Sequence, residues 1–266
     1  MRIPYYQVNA FTRSTFGGNP AGVCPLDAWL PDALMQQIAK ENDLAETAFF
    51  LRKASNGVHP LRWFTPAIEI DLCGHATLAT AYTLFSELGY NGGQISFSTK
   101  SGILNASRRG DIVELDFPSR PASACEIPDG LVKGLGRTPR AVLKARDCMA
   151  VFDAEEDITA ITPDLAELAK IDCLGIIATA PGRDCDFVSR FFAPRAGIPE
   201  DPVTGSSHCT LIPYWARRLG KKELHARQLS ARGGELFVRD CGERVAMGGH
   251  CAVYIRGEIE VPEQGM

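Results

Sequence analysis

Two short stretches set an acid and a glycine at the head of an apolar or small-residue segment: Asp71-Leu72-Cys73-Gly74-His75 and Asp201-Pro202-Val203-Thr204-Gly205-Ser206. The first backbone N–H groups of a helix have no intrahelical partner and carry partial positive charge. Glycine there lets a ligand approach the backbone closely. Two such helix starts aimed into one cleft hold an anion, most simply a carboxylate, without a metal or cofactor. Taken singly, the same residues are also what ordinary caps and turns look like. A third place for chemistry is Glu46, in Leu44-Ala45-Glu46-Thr47-Ala48-Phe49-Phe50, with little else polar nearby. A carboxyl group in apolar surroundings keeps its proton more readily, which suits it to proton transfer. A lone glutamate in a strand also reads as a solvent-facing residue.

The elements that must position these residues occur twice. Lys100 to Leu115 matches Arg232 to Met247 without a gap, pairing Gly102 with Gly234, Leu104 with Leu236, Gly110 with Gly242 and Val113 with Val245. Upstream, Arg62-Trp63-Phe64-Thr65-Pro66 is echoed by Arg190-Phe191-Phe192-Ala193-Pro194. The order and nearly equal offset predict one fold used twice, over residues 1–118 and 119–266, with a site at the junction of the halves. Ala76 to Phe85 carries no charge on any face, so it is expected as a helix buried all round, ended by Gly89. A sheet must curve to enclose it. The fold class is therefore α+β, two similar domains related by pseudo-twofold symmetry, each a curved, mostly antiparallel, barrel-like sheet around one buried central helix.

Smaller elements follow from local pattern. Tyr5 to Ala10 alternates as a strand, Pro31 to Asn42 reads as an amphipathic helix, and Leu44 to Leu51 is extended. In the second half a helix is expected near Pro163 to Lys170 and another from Ser206 to Leu219. Pro213 inside the latter predicts a kink or a later start. Arg62 and Arg190 are expected to tie strands to the linker by ion pairs rather than to bind substrate. His208 stands near the second helix start, whereas His59, His225 and His250 are expected at the surface.

Composition excludes several classes. Of 266 residues, 45% are hydrophobic and 23% charged, with a net charge of -4, which is ordinary for a globular chain and wrong for a nucleic-acid partner. No apolar run approaches the ~20 residues that span a bilayer, and no signal-peptide pattern opens the chain. The nine cysteines show neither C-x-x-C nor zinc-ligand spacing, so no metal is expected and the thiols are expected reduced, in the cytoplasm. There is no Walker A, no dinucleotide G-x-G-x-x-G after a strand, no H-E-x-x-H and no G-x-S-x-G.

Gly18-Asn19-Pro20-Ala21-Gly22-Val23, Ala45-Glu46-Thr47-Ala48-Phe49, Leu72-Cys73-Gly74-His75-Ala76-Thr77-Leu78-Ala79 and Glu200-Asp201-Pro202-Val203-Thr204-Gly205-Ser206 occur in this order. Together they resemble the PhzF-like (phenazine biosynthesis) family, within the diaminopimelate epimerase-like fold. The resemblance spans nearly the whole chain, to Gly257-Glu258-Ile259. It implies cofactor-independent isomerisation by proton relocation on a small, carboxylate-bearing, cyclic metabolite, and a homodimer. It also implies Glu46, His75 and Asp201 as catalytic residues, with Asn19, Cys73, Gly74, Gly205 and Ser206 facing the substrate. Ala45 stands where the phenazine enzyme has a serine. Cys73 opens a second path. Epimerases and racemases of this fold pair two cysteines, one at each helix start, but the partner position here is Thr204. A racemase, epimerase or dehydratase using Cys73, and a non-catalytic small-molecule-binding protein, are the alternatives.

Overall fold

A computed structural model describes residues 1–262. The chain is α+β, mostly sheet with few helices, and divides into two units, one built from Met1–Asp116 with the chain from Gly248 onward, the other from Phe117–Met247.

In the first unit, the strands are β1 (Arg2–Ala10), β2 (Asn19–Leu26), β3 (Glu46–Leu51), β4 (Val58–Phe64), β5 (Glu69–Ile70), β6 (Gln94–Thr99), β7 (Gly102–Arg109) and β8 (Ile112–Pro118), with helices α1 (Asp32–Asn42) and α2 (Gly74–Tyr82). β1–β2 is antiparallel, β2–β3 parallel, β3–β4 antiparallel, β4–β6 parallel and β6–β7 antiparallel. The second unit holds β9 (Ser123–Ala124), α3 (Leu131–Leu135), β10 (Ala141–Lys144), β11 (Cys148–Val151), α4 (Glu155–Thr159), α5 (Leu165–Leu168), β12 (Ile176–Pro181), β13 (Phe187–Phe192), α6 (Gly205–Leu219), β14 (Glu223–Gln228), β15 (Gly234–Asp240) and β16 (Arg244–Gly249). From β10 to β15 its pairings run in the same sequence: antiparallel, parallel, antiparallel, parallel, antiparallel.

Parallel neighbours cannot be joined by a hairpin and need a crossover. Each of the four parallel pairs named here has a helical one: α1 joins β2 to β3, α2 lies between β4 and β6, α4 and α5 between β11 and β12, and α6 joins β13 to β14. The matched glycines fall at matched places. Gly102 and Gly234 open β7 and β15, and Gly110 and Gly242 sit in the following turns at φ +65° and +83°.

The division differs from the expected 1–118 and 119–266. The second unit ends at Met247, because the closing strand β17 (Cys251–Glu260) returns to pair antiparallel with β1, Arg2 opposite Glu260 and Ala10 opposite Cys251.

Helix α2 is buried over every residue from His75 to Ala81. Its threonines need no outside partner: Thr77, Thr80 and Thr83 give their hydroxyl protons to the carbonyls of Cys73, Ala76 and Ala79 at 2.5, 2.7 and 2.9 Å. Beyond Tyr82 the chain widens into one π turn, Thr83–Glu87, before Gly89. Helix α6 runs unbroken from Gly205 to Leu219 through Pro213, with no later start. Proline lacks the N–H that would reach the Cys209 carbonyl. The backbone N–H of Arg120 supplies it instead, at 2.9 Å.

Arg62 and Arg190 do the same work in their own units. Arg62 grips Glu69 through Nε and Nη2 at 2.7 and 2.8 Å and lies over Phe64, while Arg190 grips Glu200 at 2.7 and 2.9 Å and lies over Phe192. His59 and His250 are buried rather than at the surface, and His59 Nδ1 is satisfied by the Leu51 carbonyl at 3.0 Å. Among the described residues, no helix is long and apolar enough to cross a membrane.

Candidate active site

Parallel pairing brings the starts of β2 and β3 to one end of the first sheet, with Ala21 opposite Glu46. Asn19 is the first residue of β2, Glu46 the first of β3, and His75 the second of α2, whose N-cap is Cys73. Gly18, at φ +64°, lets the chain turn into β2, and a Cβ there would collide with the Ala10 carbonyl. The four side chains meet around the imidazole. His75 Nε2 lies 3.0 Å from Glu46 Oε2. On the other side of the ring, His75 Nδ1 lies 3.2 Å from Asn19 Nδ2 and 3.6 Å from Cys73 Sγ. Asn19 is wholly buried and His75 and Cys73 nearly so, while the Glu46 side chain keeps 12% exposure. A buried group that still opens to one side can receive a small ligand.

Burial opposes the imidazolium form, but Cys73 and Glu46 outweigh it and hold the pKa of His75 well above the ordinary histidine value. Burial and the nearby Glu46 charge push the Cys73 thiol up as well, so it is protonated at neutral pH. A neutral thiol brings no charge to the ring. With the thiol neutral, the charge left beside the ring to favour its proton is that of Glu46.

The donor atoms of Glu46, Cys73 and His75 all lie within 4.8 Å of one another. They flank opposite nitrogens of the imidazole, however, so an ion on either nitrogen would face only one of the other two. The arrangement suits proton exchange along the ring better than metal coordination.

The second unit assembles Asp201, Gly205 and Ser206 around the start of α6. Thr204, the N-cap, donates its hydroxyl proton to Asp201 Oδ2 at 2.5 Å and its N–H to Gln228 Oε1 at 2.9 Å, and Gln228 Nε2 donates to the Asp201 carbonyl at 2.8 Å. Thr204 is thus occupied as a hydroxyl donor where a two-thiol racemase would carry its second cysteine. Ser206 Oγ accepts a hydrogen bond from Arg146 Nη2 at 2.8 Å. His208 is buried, with Nδ1 on the Thr204 carbonyl at 2.8 Å, and burial pushes its pKa down to about 4, so it is a neutral residue. The start of β12, the counterpart of Glu46's place in the pairing order, is Ile176. At that position the second unit has no carboxyl group to match Glu46.

A family model described as phenazine biosynthesis-like protein matches residues 8–257. The chain belongs to the phenazine biosynthesis-like family. It is 48% identical to an uncharacterized isomerase of Pseudomonas aeruginosa, over 98% of this chain and all of that one. A PhzF-family crystal structure from Enterococcus faecalis superposes with a TM-score of 0.96 at 43% identity, covering 98% of this chain and 100% of the other. The fold alone extends further, to a hydroxyproline epimerase from Agrobacterium vitis, with a TM-score of 0.62 at 11% identity over 99% of this chain and 94% of that one.

For this PhzF-family chain, the motif reading left out Arg146 and Asp147. Arg146 Nη2 contacts Asp147 Oδ2 at 3.0 Å as well as Ser206, and Asp147 is 1% exposed. An adjacent Arg-Asp pair before a four-residue strand gives no local sign that it serves a helix 60 residues away.

Proposed function

We propose that this chain is an isomerase that relocates a proton on a small, carboxylate-bearing, cyclic metabolite, with Glu46 as the general acid/base. The observation that carries the reading is the buried Glu46–His75 pair at 3.0 Å, set at the first turn of a buried helix. The names of relatives at 45–48% identity, all uncharacterized isomerases, support the reaction class.

In this reading the Glu46 carboxylate accepts a proton from a substrate carbon, and the electron pair of the broken C–H bond moves into the substrate's conjugated system. The carboxylic acid then returns the proton to a second carbon, with no net gain or loss. His75 Nε2–H steadies the carboxylate between the two transfers. In the second unit, the start of α6 is the candidate anchor for a carboxylate, through Ser206 and the backbone N–H groups beside Gly205, with Asp201 as a further candidate for proton handling. Such chemistry asks for no cofactor. The protonated Cys73 and the occupied Thr204 disfavour a two-thiol racemase.

Glu46→Gln tests the reading. It should fold normally, bind a carboxylate ligand with similar affinity and lose turnover by at least the ~10²-fold typical of removing a general acid/base. In deuterated water the wild type should place deuterium at the rearranged carbon and the variant none. A Gln variant that keeps full activity on an identified substrate would overturn the mechanism.

A further inference from the structure

The two nitrogens of His75 face unlike partners. Nε2 lies 3.0 Å from the Glu46 carboxylate, out of line for a hydrogen bond, and because a carboxylate only accepts, its charge favours a hydrogen on this nitrogen in the neutral ring as well as in the charged one. Nδ1 is the nitrogen whose state changes: it accepts in the neutral ring and donates in the imidazolium. The group at Nδ1 is the carboxamide of Asn19, 3.2 Å away and wholly buried. A carboxamide can do both jobs, since its NH₂ end donates to a lone pair and its oxygen accepts from an N–H. A half-turn about the last side-chain bond exchanges the two ends. The Cys73 thiol, at 3.6 Å, is a weaker partner.

We propose that Asn19 is a positioning residue, which serves His75 in both protonation states through the two ends of its amide and so keeps the ring able to take up and release a proton beside Glu46. The catalytic meaning rests on the proton-transfer reading above; the control of the ring does not. In this assignment Asn19 acts through His75 rather than as a ligand of the substrate.

The other groups around α2 leave this contact decisive. Helix α2 packs against β1, β2, β3 and β17. On these strands burial pushes the Tyr5, Cys24 and Cys251 pKa values up, which keeps all three neutral. Arg256 is held by Glu87 at 2.6 and 2.9 Å, and Arg2 by Glu260 at 3.1 Å with Glu258 beside it. Among the described groups on these strands, the charge facing His75 is that of Glu46, with the Cys73 thiol beside Nδ1.

The test reads the ring directly, by long-range ¹H–¹⁵N correlation of histidine side chains between pH 5 and 11, with His75 assigned from its loss in His75→Gln. In the wild type, the neutral ring should carry its proton on Nε2 and leave Nδ1 unprotonated. Asn19→Asp, which can only accept, should raise the midpoint by at least one pH unit, and Asn19→Leu, which can do neither, should lower it by a comparable amount. A neutral wild-type ring protonated on Nδ1 would overturn the proposal and needs no variant to be seen. So would midpoints within 0.3 unit of wild type in both variants, or a ring that stays charged to pH 11 in wild type and Asn19→Leu alike. Failure of the proton-transfer reading looks different: Glu46→Gln keeps its activity while these NMR results stand.

Discussion

Arg146 Nη2 donates to Ser206 Oγ at 2.8 Å while the same guanidinium holds the buried carboxylate of Asp147 at 3.0 Å. A hydroxyl has one proton, and Arg146 occupies a lone pair of Ser206 rather than that proton. The proton stays available for an anion, and a cationic donor on the oxygen makes it a stronger donor.

This gives the first prediction, made with benzoate as a minimal cyclic carboxylate in calorimetric titrations. Ser206→Ala and Arg146→Lys should each weaken binding about tenfold, the scale of one charge-assisted hydrogen bond. Lysine keeps a cation beside Asp147 but lacks the fork that spans both partners. The double variant should bind no worse than Ser206→Ala alone, because Arg146 acts through the hydroxyl. Additive losses would mean that the guanidinium meets the anion itself.

His75 predicts a pH dependence of stability. Its pKa in the folded chain lies above the unfolded value near 6.5, so the folded state holds the proton more tightly. The resulting stabilisation is fully present below pH 6.5 and is lost as pH rises through the folded value. Between pH 6.5 and 7.5, below the ordinary range of cysteine titration, the wild type should lose melting temperature relative to His75→Gln. A constant difference across that window would remove the ion pair from the account.

Glu69 predicts the opposite limb. Hydrogen bonds from Arg62 and Lys100 hold its pKa down to about 2, against burial that opposes the charge. The stabilisation is present above pH 4.5 and is lost as pH falls towards 2. Acid unfolding should therefore steepen in that window for the wild type, and Glu69→Gln should flatten it.

Much of the fold was legible because its signals are local. The uncharged run after Gly74 can only be a helix with no solvent face, and α2 is buried throughout from His75 to Ala81. The repeated glycines mark strand starts and positive-φ turns, which few other residues tolerate. Glu46 was legible as the one acid in an apolar strand. What escaped depends on which strands become neighbours. Asn19 meets His75 across 56 residues and Arg146 meets Ser206 across 60, and no local period encodes either contact. The return of β17 to β1 moved a domain limit for the same reason. Pro213 does not delay the start of α6, because the Cys209 carbonyl it leaves without a helical donor takes one from Arg120. His59 misled because a polar ring is buried readily once a carbonyl such as that of Leu51 meets its N–H.

Cys73 separates the proposed mechanism from its thiol rival. It caps α2, stands 3.6 Å from His75 Nδ1 and keeps its proton at neutral pH because burial and the Glu46 charge both oppose a thiolate. A protonated thiol is a poor base, and a neutral one cannot support the imidazolium electrostatically. Cys73→Ala should therefore retain activity within about tenfold of wild type, against the ~10²-fold loss expected for Glu46→Gln. It should also leave the titration midpoint of His75 nearly unmoved. If Cys73 were instead a thiolate, the alanine variant would lower that midpoint by more than one pH unit and abolish turnover as completely as Glu46→Gln does. The two measurements agree on one outcome or the other: a thiol that merely packs beside the ring, or a second base.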